Sequence, residues 1–500
     1  MRRTLLVLVC FSLIGCSDES ESAAGSGGAA GSSGSAGSGG SAGGGGSGGA
    51  GAGGAGGSAG MGGSGGGPVE PPITCTNQCR YVRAGATGAG SGADWNDAFA
   101  SLPTQLERGL VYLMADGDYG SADFDTAPNG TELVVVRKAT SESHGTETGW
   151  QADYGDGVAR FTSVSFGSSH WLFEGAKGGG PGAWNSGHGF EIVREGSACK
   201  DNGSLIDFAP GVAHVTVAHV HAHGAKYDYP INGVKGTGGN SDLTFRYVSV
   251  HTTFGPTFHI GDWKDVVIEK SYLADVRSTG AGDPFCSDWH AEGISSIGTN
   301  ENIVIRHNLW DRIGGTAVFA GVNTGASKAW KIHGNVFSRS VTTIRYYNEA
   351  SSTNQQTMDD LEFHGNVILK MPGSSVGVLA IDAGANNRAF NNIWYDNIAN
   401  TFSFAGVSHD HNYFAENRRV EGCSPVCDKD DEGAAGETQA QVASGSPFVN
   451  ADVDPLDADL HLKAATQPGK SLPAPFDLDP DGKTRGADGS WDRGAYEFGP

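Results

Sequence analysis

His307-Asn308-Leu309-Trp310, Gly334-Asn335-Val336-Phe337, Gly365-Asn366-Val367-Ile368, Asn391-Asn392-Ile393-Trp394 and His411-Asn412-Tyr413-Phe414 repeat one pattern: a leading residue, an asparagine, then two apolar residues. Two looser copies precede them, Tyr247-Val248-Ser249-Val250 and Lys270-Ser271-Tyr272-Leu273. Consecutive copies lie 20 to 37 residues apart. That period belongs to a solenoid, whose units cannot bury an apolar face alone and stack on their neighbours.

Alignment on the asparagine brings the upstream residues into register. Val217, Phe245, Ile268, Ile305, Ile332 and Phe363 stand three positions before it, and Val215, Leu243, Val266, Ile303, Trp330 and Leu361 stand five before. The residues between are mixed, as in Val267 and Glu269 or Glu362 and His364. Such period-2 alternation predicts a strand with one buried face. A second short apolar strand follows the asparagine and a third comes later, as in Phe258-His259-Ile260, Ala317-Val318-Phe319 and Val378-Leu379-Ala380-Ile381. Three short strands per turn, each parallel to its counterpart on the next turn, describe an all-β chain: a right-handed parallel β-helix. At the bend, asparagine amides can pair rung to rung and satisfy buried polar groups. A leucine-rich repeat would need regular leucines where β-branched and aromatic residues stand, and a propeller would need longer blades.

Three segments carry a family resemblance. Arg80-Tyr81-Val82-Arg83, with Trp95-Asn96-Asp97-Ala98-Phe99 and Val111-Tyr112-Leu113, looks like an N-terminal cap and first strand. The rungs from Val212 to Phe414 come next, and Asp479-Pro480-Asp481-Gly482-Lys483-Thr484-Arg485 with Asp492-Arg493-Gly494-Ala495-Tyr496-Glu497 looks like a last turn. Together they resemble the superfamily of exported parallel β-helix proteins that includes pectate-lyase-like polysaccharide lyases and hydrolases. The resemblance implies the fold and a polysaccharide partner; it leaves the reaction open, because many functions share the scaffold. Neither the paired-aspartate, Gly-His-Gly cluster of the hydrolases nor the Trp-Ile-Asp-His segment of classical pectate lyases is present, so no catalytic residue carries over.

The N-terminal region reads differently. Arg2 and Arg3 precede an apolar run from Leu5 to Ile14, short for a membrane span and suited to a signal peptide. Leu13-Ile14-Gly15-Cys16 resembles the bacterial lipobox, which implies cleavage before Cys16 and lipidation of its thiol. By the same resemblance, Ser17 in the next position implies outer-membrane sorting, and the expected location is the outer membrane or the cell surface. Glycine, serine and alanine dominate from about Ser22 to Gly67, a composition that cannot form a core and behaves as a flexible tether. The expected organisation is a lipoprotein signal peptide (1–15), a disordered tether (16–74) and the β-helix (75–500). With 56 acidic against 33 basic residues, the chain suits neither nucleic acid nor an anionic membrane surface. The membrane would be met through the lipid alone, by a monomer.

Cys75, Cys79, Cys199, Cys286, Cys423 and Cys427 remain for disulfides in an exported protein. Cys75 with Cys79 and Cys423 with Cys427 could each close a small loop, leaving Cys199 for Cys286; fifteen pairings are open. Zinc is the competing reading of the two C-x-x-x-C pairs, although the expected histidine partners are not nearby.

The longest interruption between rungs contains Asp283-Pro284-Phe285-Cys286-Ser287-Asp288-Trp289-His290-Ala291-Glu292-Gly293. An extended backbone would put Asp288, His290 and Glu292 on one face. An outward stripe of Arg246, Glu269, Arg306, His333 and His364 runs alongside. β-Elimination needs a base for the C5 proton, an acid for the leaving oxygen, and positive charge against the uronate carboxylate. His290 is the candidate base and Arg306 the neutralising group, with Glu292 or Asp288 orienting them; Lys264 is a further base if buried. Arg246, Glu269, His259, His333 and Trp289 are candidate substrate contacts, with Trp263 a second sugar platform. Hydrolysis would instead pair Asp288 with Glu292 or Glu269. Asp477, Asp479 and Asp481 match the first half of a calcium loop, making calcium the one cofactor to consider. These residues point to action on an extended acidic polysaccharide, most specifically as a lyase. A non-catalytic carbohydrate-binding or adhesive surface protein is the alternative, and a glycoside hydrolase the third.

Overall fold

The computed structural model describes Cys75 and residues 78–194, 203–225, 232–277, 291–315, 317–346, 355–372, 379–399, 404–419 and 436–499. Among them the chain is a three-sheet parallel β-helix. The only helix among the described residues is a 3₁₀ turn at Ala152–Tyr154. Each rung visits three sheets in turn. Ala213–Ala218 lies in sheet A, Val220–Gly224 in sheet B and Asn232–Thr237 in sheet C; Ser241–Arg246 then opens the next rung in sheet A. Sheets A, B and C hold 14, 12 and 10 described strands.

Alternation decides which side chains fill the interior. Val215, Leu243, Val266 and Ile303 stand in one ladder column of sheet A, and Val217, Phe245, Ile268, Ile305, Ile332 and Phe363 in another. All are buried. The inner column of sheet B runs Val250, Leu273, Trp310, Phe337, Ile368, Trp394 and Phe414. Trp263 joins this core at 1 % exposure, which corrects its reading as a sugar platform.

The asparagines form the expected ladder. Nδ2 of Asn308, Asn335, Asn366 and Asn392 donates to Oδ1 of the next asparagine at 3.0 Å in every case. The second amide hydrogen of Asn366 reaches a strand carbonyl, that of Ile332, at 3.0 Å. The ladder ends on a carboxylate: Asn412 donates to Glu437 at 2.7 Å through Nδ2 and at 3.2 Å through its backbone N–H. The residue before each asparagine makes the bend in a left-handed conformation. His307, Gly334, Gly365, Asn391 and His411 all have φ between 57° and 62°, a region that costs non-glycine residues about 1 kcal/mol or more.

The two apolar residues after each asparagine face opposite ways. Trp310 points inward, whereas Leu309 joins Val336, Val367, Ile393 and Tyr413 on the outer face. There they are buried with Phe448, Leu460, Leu462 and Ala495 of the C-terminal segment. A strand covered on both faces reads as a continuous apolar run.

Cys75 and Cys79 form a disulfide, as their spacing suggested. The other four disulfide candidates, and Cys16, lie outside the described residues.

Candidate functional site

The outer column of sheet B changes character part-way along. Before Leu309 it runs Glu191, His221, Ser249 and Tyr272. The next outward column runs Val193, His223, His251, Ala274 and Asp311. Polar groups therefore gather on the middle rungs, where the apolar positions under the C-terminal cover give out.

Three imidazoles and a carboxylate meet there. His223 Nε2 lies 3.1 Å from Glu191 Oε1, and His221 Nε2 lies 2.7 Å from His251 Nε2. The His223 and His251 rings are nearly parallel, with centroids 5.3 Å apart. Among the described residues, Glu191, His221 and His223 are the one set of three potential ligands whose donor atoms all lie within 4.8 Å of one another. Arg160 donates to the other oxygen of Glu191, Oε2, at 2.7 Å. Burial pushes His221 down to about 4 and His251 to about 2, and the neighbouring imidazoles add to both shifts. Burial opposes ionisation of Glu191, but its contact with His223 and the hydrogen bond from Arg160 hold its carboxyl below the usual range.

A charged network adjoins the imidazoles. Arg312 donates to Asp275 Oδ2 at 2.7 Å and to the Tyr272 hydroxyl at 3.1 Å, and also meets Asp311. Arg339 reaches Asp311 at 2.8 Å and Asp454 at 3.0 Å. The Tyr272 ring lies 6.1 Å from that of His251, so His251, Tyr272 and Arg312 form a run over three successive rungs. The interruption singled out in the sequence leaves this run directly: Tyr272–Val276 is the strand that precedes it.

The stripe on sheet A forms as one column, with Arg246, Glu269, Arg306, His333 and His364 in register. Its halves differ in access. Arg246 lines an open groove with Trp171, His214, Thr216 and Thr244. Arg306 is committed to Glu269 through Nε, at 2.7 Å. His333 and His364 are 3 % and 1 % exposed, under the edge of the Phe476 ring 5.1 and 4.9 Å away. Burial lowers the pKa of both. His333, expected to touch substrate, is thus covered by the C-terminal segment, whose path the repeat pattern did not contain.

Glu292 is buried at 1 % exposure just before the sheet C strand Ile294–Ile297. His259 faces outward on sheet C, in register with Lys235 and Ser295. Asp288, Trp289 and His290 lie outside the described residues. Lys264 is exposed and paired with Glu301 at 3.6 Å, which removes the burial its role as base required. In the acidic C-terminal turn, Asp479 accepts backbone N–H groups from Asp481, Lys483 and Glu497. Asp481 pairs with His461 of the strand Asp459–Leu462 at 2.7 Å, so Asp479 is engaged within the turn and Asp481 by that strand.

No protein-family model and no curated protein matches the chain. Solved β-helix enzymes are similar at the level of structure. The PL6 family alginate lyase AlyGC is 12% identical with a TM-score of 0.39, covering 77% of this chain and 55% of its own. A PL6 family polysaccharide lyase from Pseudopedobacter saltans is 12% identical with a TM-score of 0.36, over 79% of this chain and 98% of its own. The catalytic unit of a GH87 alpha-1,3-glucanase from Streptomyces thermodiastaticus is 12% identical with a TM-score of 0.27, over 75% and 72%. The chain thus spans about half the length of the first of these.

Proposed function

We propose that the protein acts on an extended acidic polysaccharide laid across the outer face of sheet B, and that it cleaves the polymer by β-elimination. The observation that carries the reading is the run from His251 through Tyr272 to Arg312 on successive rungs. His251 takes the C5 proton as the C4–O bond breaks, solvent water protonates the leaving oxygen, and Arg312, held by Tyr272 and Asp275, meets the uronate carboxylate. Arg160 and Arg339 extend positive charge along the solenoid to either side. Cys16 and the glycine-rich tether would hold this face at the outer surface of the cell.

A second reading, binding without cleavage, is favoured by the ion pairs that already occupy Arg160, Arg312 and Arg339. Incubating the full chain with pectin, alginate and chondroitin separates the readings. Ultraviolet absorbance of an unsaturated uronate supports the lyase. Retention on immobilised polymer with a flat trace supports binding alone, and new reducing ends without absorbance support hydrolysis.

A further inference from the structure

We infer that Glu191, His221 and His223 form a binding site for a divalent first-row transition ion of the zinc class. The inference goes beyond polysaccharide chemistry and stands whether or not the chain cleaves a polymer.

Backbone geometry builds the site. His221 and His223 are two residues apart on one strand and share its outer face. Glu191 is the ladder partner of His221 on the preceding rung. The three donor atoms therefore meet because parallel strands stack, and all lie within 4.8 Å of one another.

The hydrogen bonds behind these atoms leave lone pairs where a cation would sit. His223 Nδ1 faces the carbonyl oxygen of Gly224 at 3.1 Å. A carbonyl only accepts, so Nδ1 carries the hydrogen, and Nε2 presents its lone pair to Glu191 Oε1 at 3.1 Å. The ion pair with Arg160 keeps Glu191 a carboxylate, itself an acceptor. Two acceptors in contact require a second proton on His223 or a cation between them. His221 Nε2 converges on the same place, within 4.8 Å of the other two donor atoms, and in the tautomer with its hydrogen on Nδ1 it adds a third lone pair. His221 Nε2 also meets another ring nitrogen, that of His251, at 2.7 Å. A metal ion takes the lone pairs of His221 and His223 and the Glu191 carboxylate at once; bound in this way, His221 Nε2 has no lone pair left for His251.

The supporting contacts are of the kind that orient metal ligands: a carbonyl on the far nitrogen of one histidine and a guanidinium on the far oxygen of the carboxylate. Two imidazoles and one carboxylate suit a borderline ion such as zinc, whereas calcium takes six or more oxygens. Three protein ligands leave a coordination position open, as in catalytic zinc sites. The His223 and Glu191 side chains are 20% and 19% exposed, so an ion can enter from solvent.

The test uses the full chain, stripped with a chelator and titrated calorimetrically with zinc chloride and separately with calcium chloride. One equivalent of zinc should bind at this site, while calcium produces no matching heat. His221→Ala and His223→Ala should each weaken zinc roughly a hundredfold or more. If either alanine variant misfolds, Glu191→Gln serves in its place, read by the intensity of cobalt absorption in the visible. Absence of zinc binding overturns the inference, and so does zinc binding of equal strength in correctly folded variants.

Discussion

His221 and His251 bring their Nε2 atoms to 2.7 Å across two adjacent strands, although the ladder partner of His221 is Ser249. The contact is diagonal, and it joins the two outward columns of sheet B into one polar surface. Glu191 and Arg160 continue it towards the N-terminus, and Tyr272 and Arg312 towards the C-terminus. The proposed chemistry depends on this continuity.

The asparagine ladder should be a principal source of stability. Asn366 Oδ1 accepts from the backbone N–H and Nδ2 of Asn335, each at 3.0 Å, and its own amide donates to Ile332 and Asn392. All of these groups are buried. Asn366→Ala strands several of them, at about 1–3 kcal/mol each, so urea denaturation should show a loss of about 3 kcal/mol or more. A loss below about 1 kcal/mol would mean that the ladder is not what satisfies the bend.

Gly334 answers a local problem. At φ +62° it occupies the left-handed bend, and a Cβ there would meet Cδ2 of His307 at 2.5 Å. Gly334→Ala should therefore destabilise by about 1–3 kcal/mol. Part of that loss should be recovered in a His307→Gly background, because the clashing ring is gone. Strict additivity in the double-mutant cycle would rule out the contact as the cause.

The C-terminal cover should loosen in alkali. Hydrogen bonds from the His461 ring to Asp481 and Asp459 raise its pKa to about 9 from an ordinary 6.5. The folded state thus holds this proton more tightly. The stability gained is complete below pH 6.5 and is lost as pH rises through about 9. Asp481, held below its usual range by His461, contributes in the opposite sense, and its share is lost only in acid. Thermal unfolding between pH 6 and about 10 should show a falling midpoint. That slope should shrink in Asp481→Asn; an unchanged slope would assign it to other groups. Both side chains are about one-third exposed, so solvent screening keeps the effect small.

Period and alternation made the solenoid legible, since both follow from stacking: inward residues must match from rung to rung. The stripe from Arg246 to His364 was legible for the same reason. Its cover was not, because Phe476 reaches His333 and His364 from more than a hundred residues downstream, outside any repeat. The imidazole cluster had a signal that went unread. His221 and His223 alternate along one strand, and the looser cassettes place Ser249 and Tyr272 where Leu309 and Val336 stand in regular ones. An apolar outer position means a covered sheet, and a polar one marks where the cover ends.

The most direct test of the account is the rate of unsaturated uronate formation from alginate, pectin and chondroitin by the full chain, its His251→Ala variant and its Arg312→Ala variant. Wild-type protein should generate the absorbance on at least one polymer. His251→Ala should lower the rate roughly 10²–10⁴-fold, and Arg312→Ala roughly 10²–10³-fold, with circular dichroism unchanged. Absorbance that persists at the wild-type rate in both folded variants would contradict the account, as would none from the wild-type protein on any of the three.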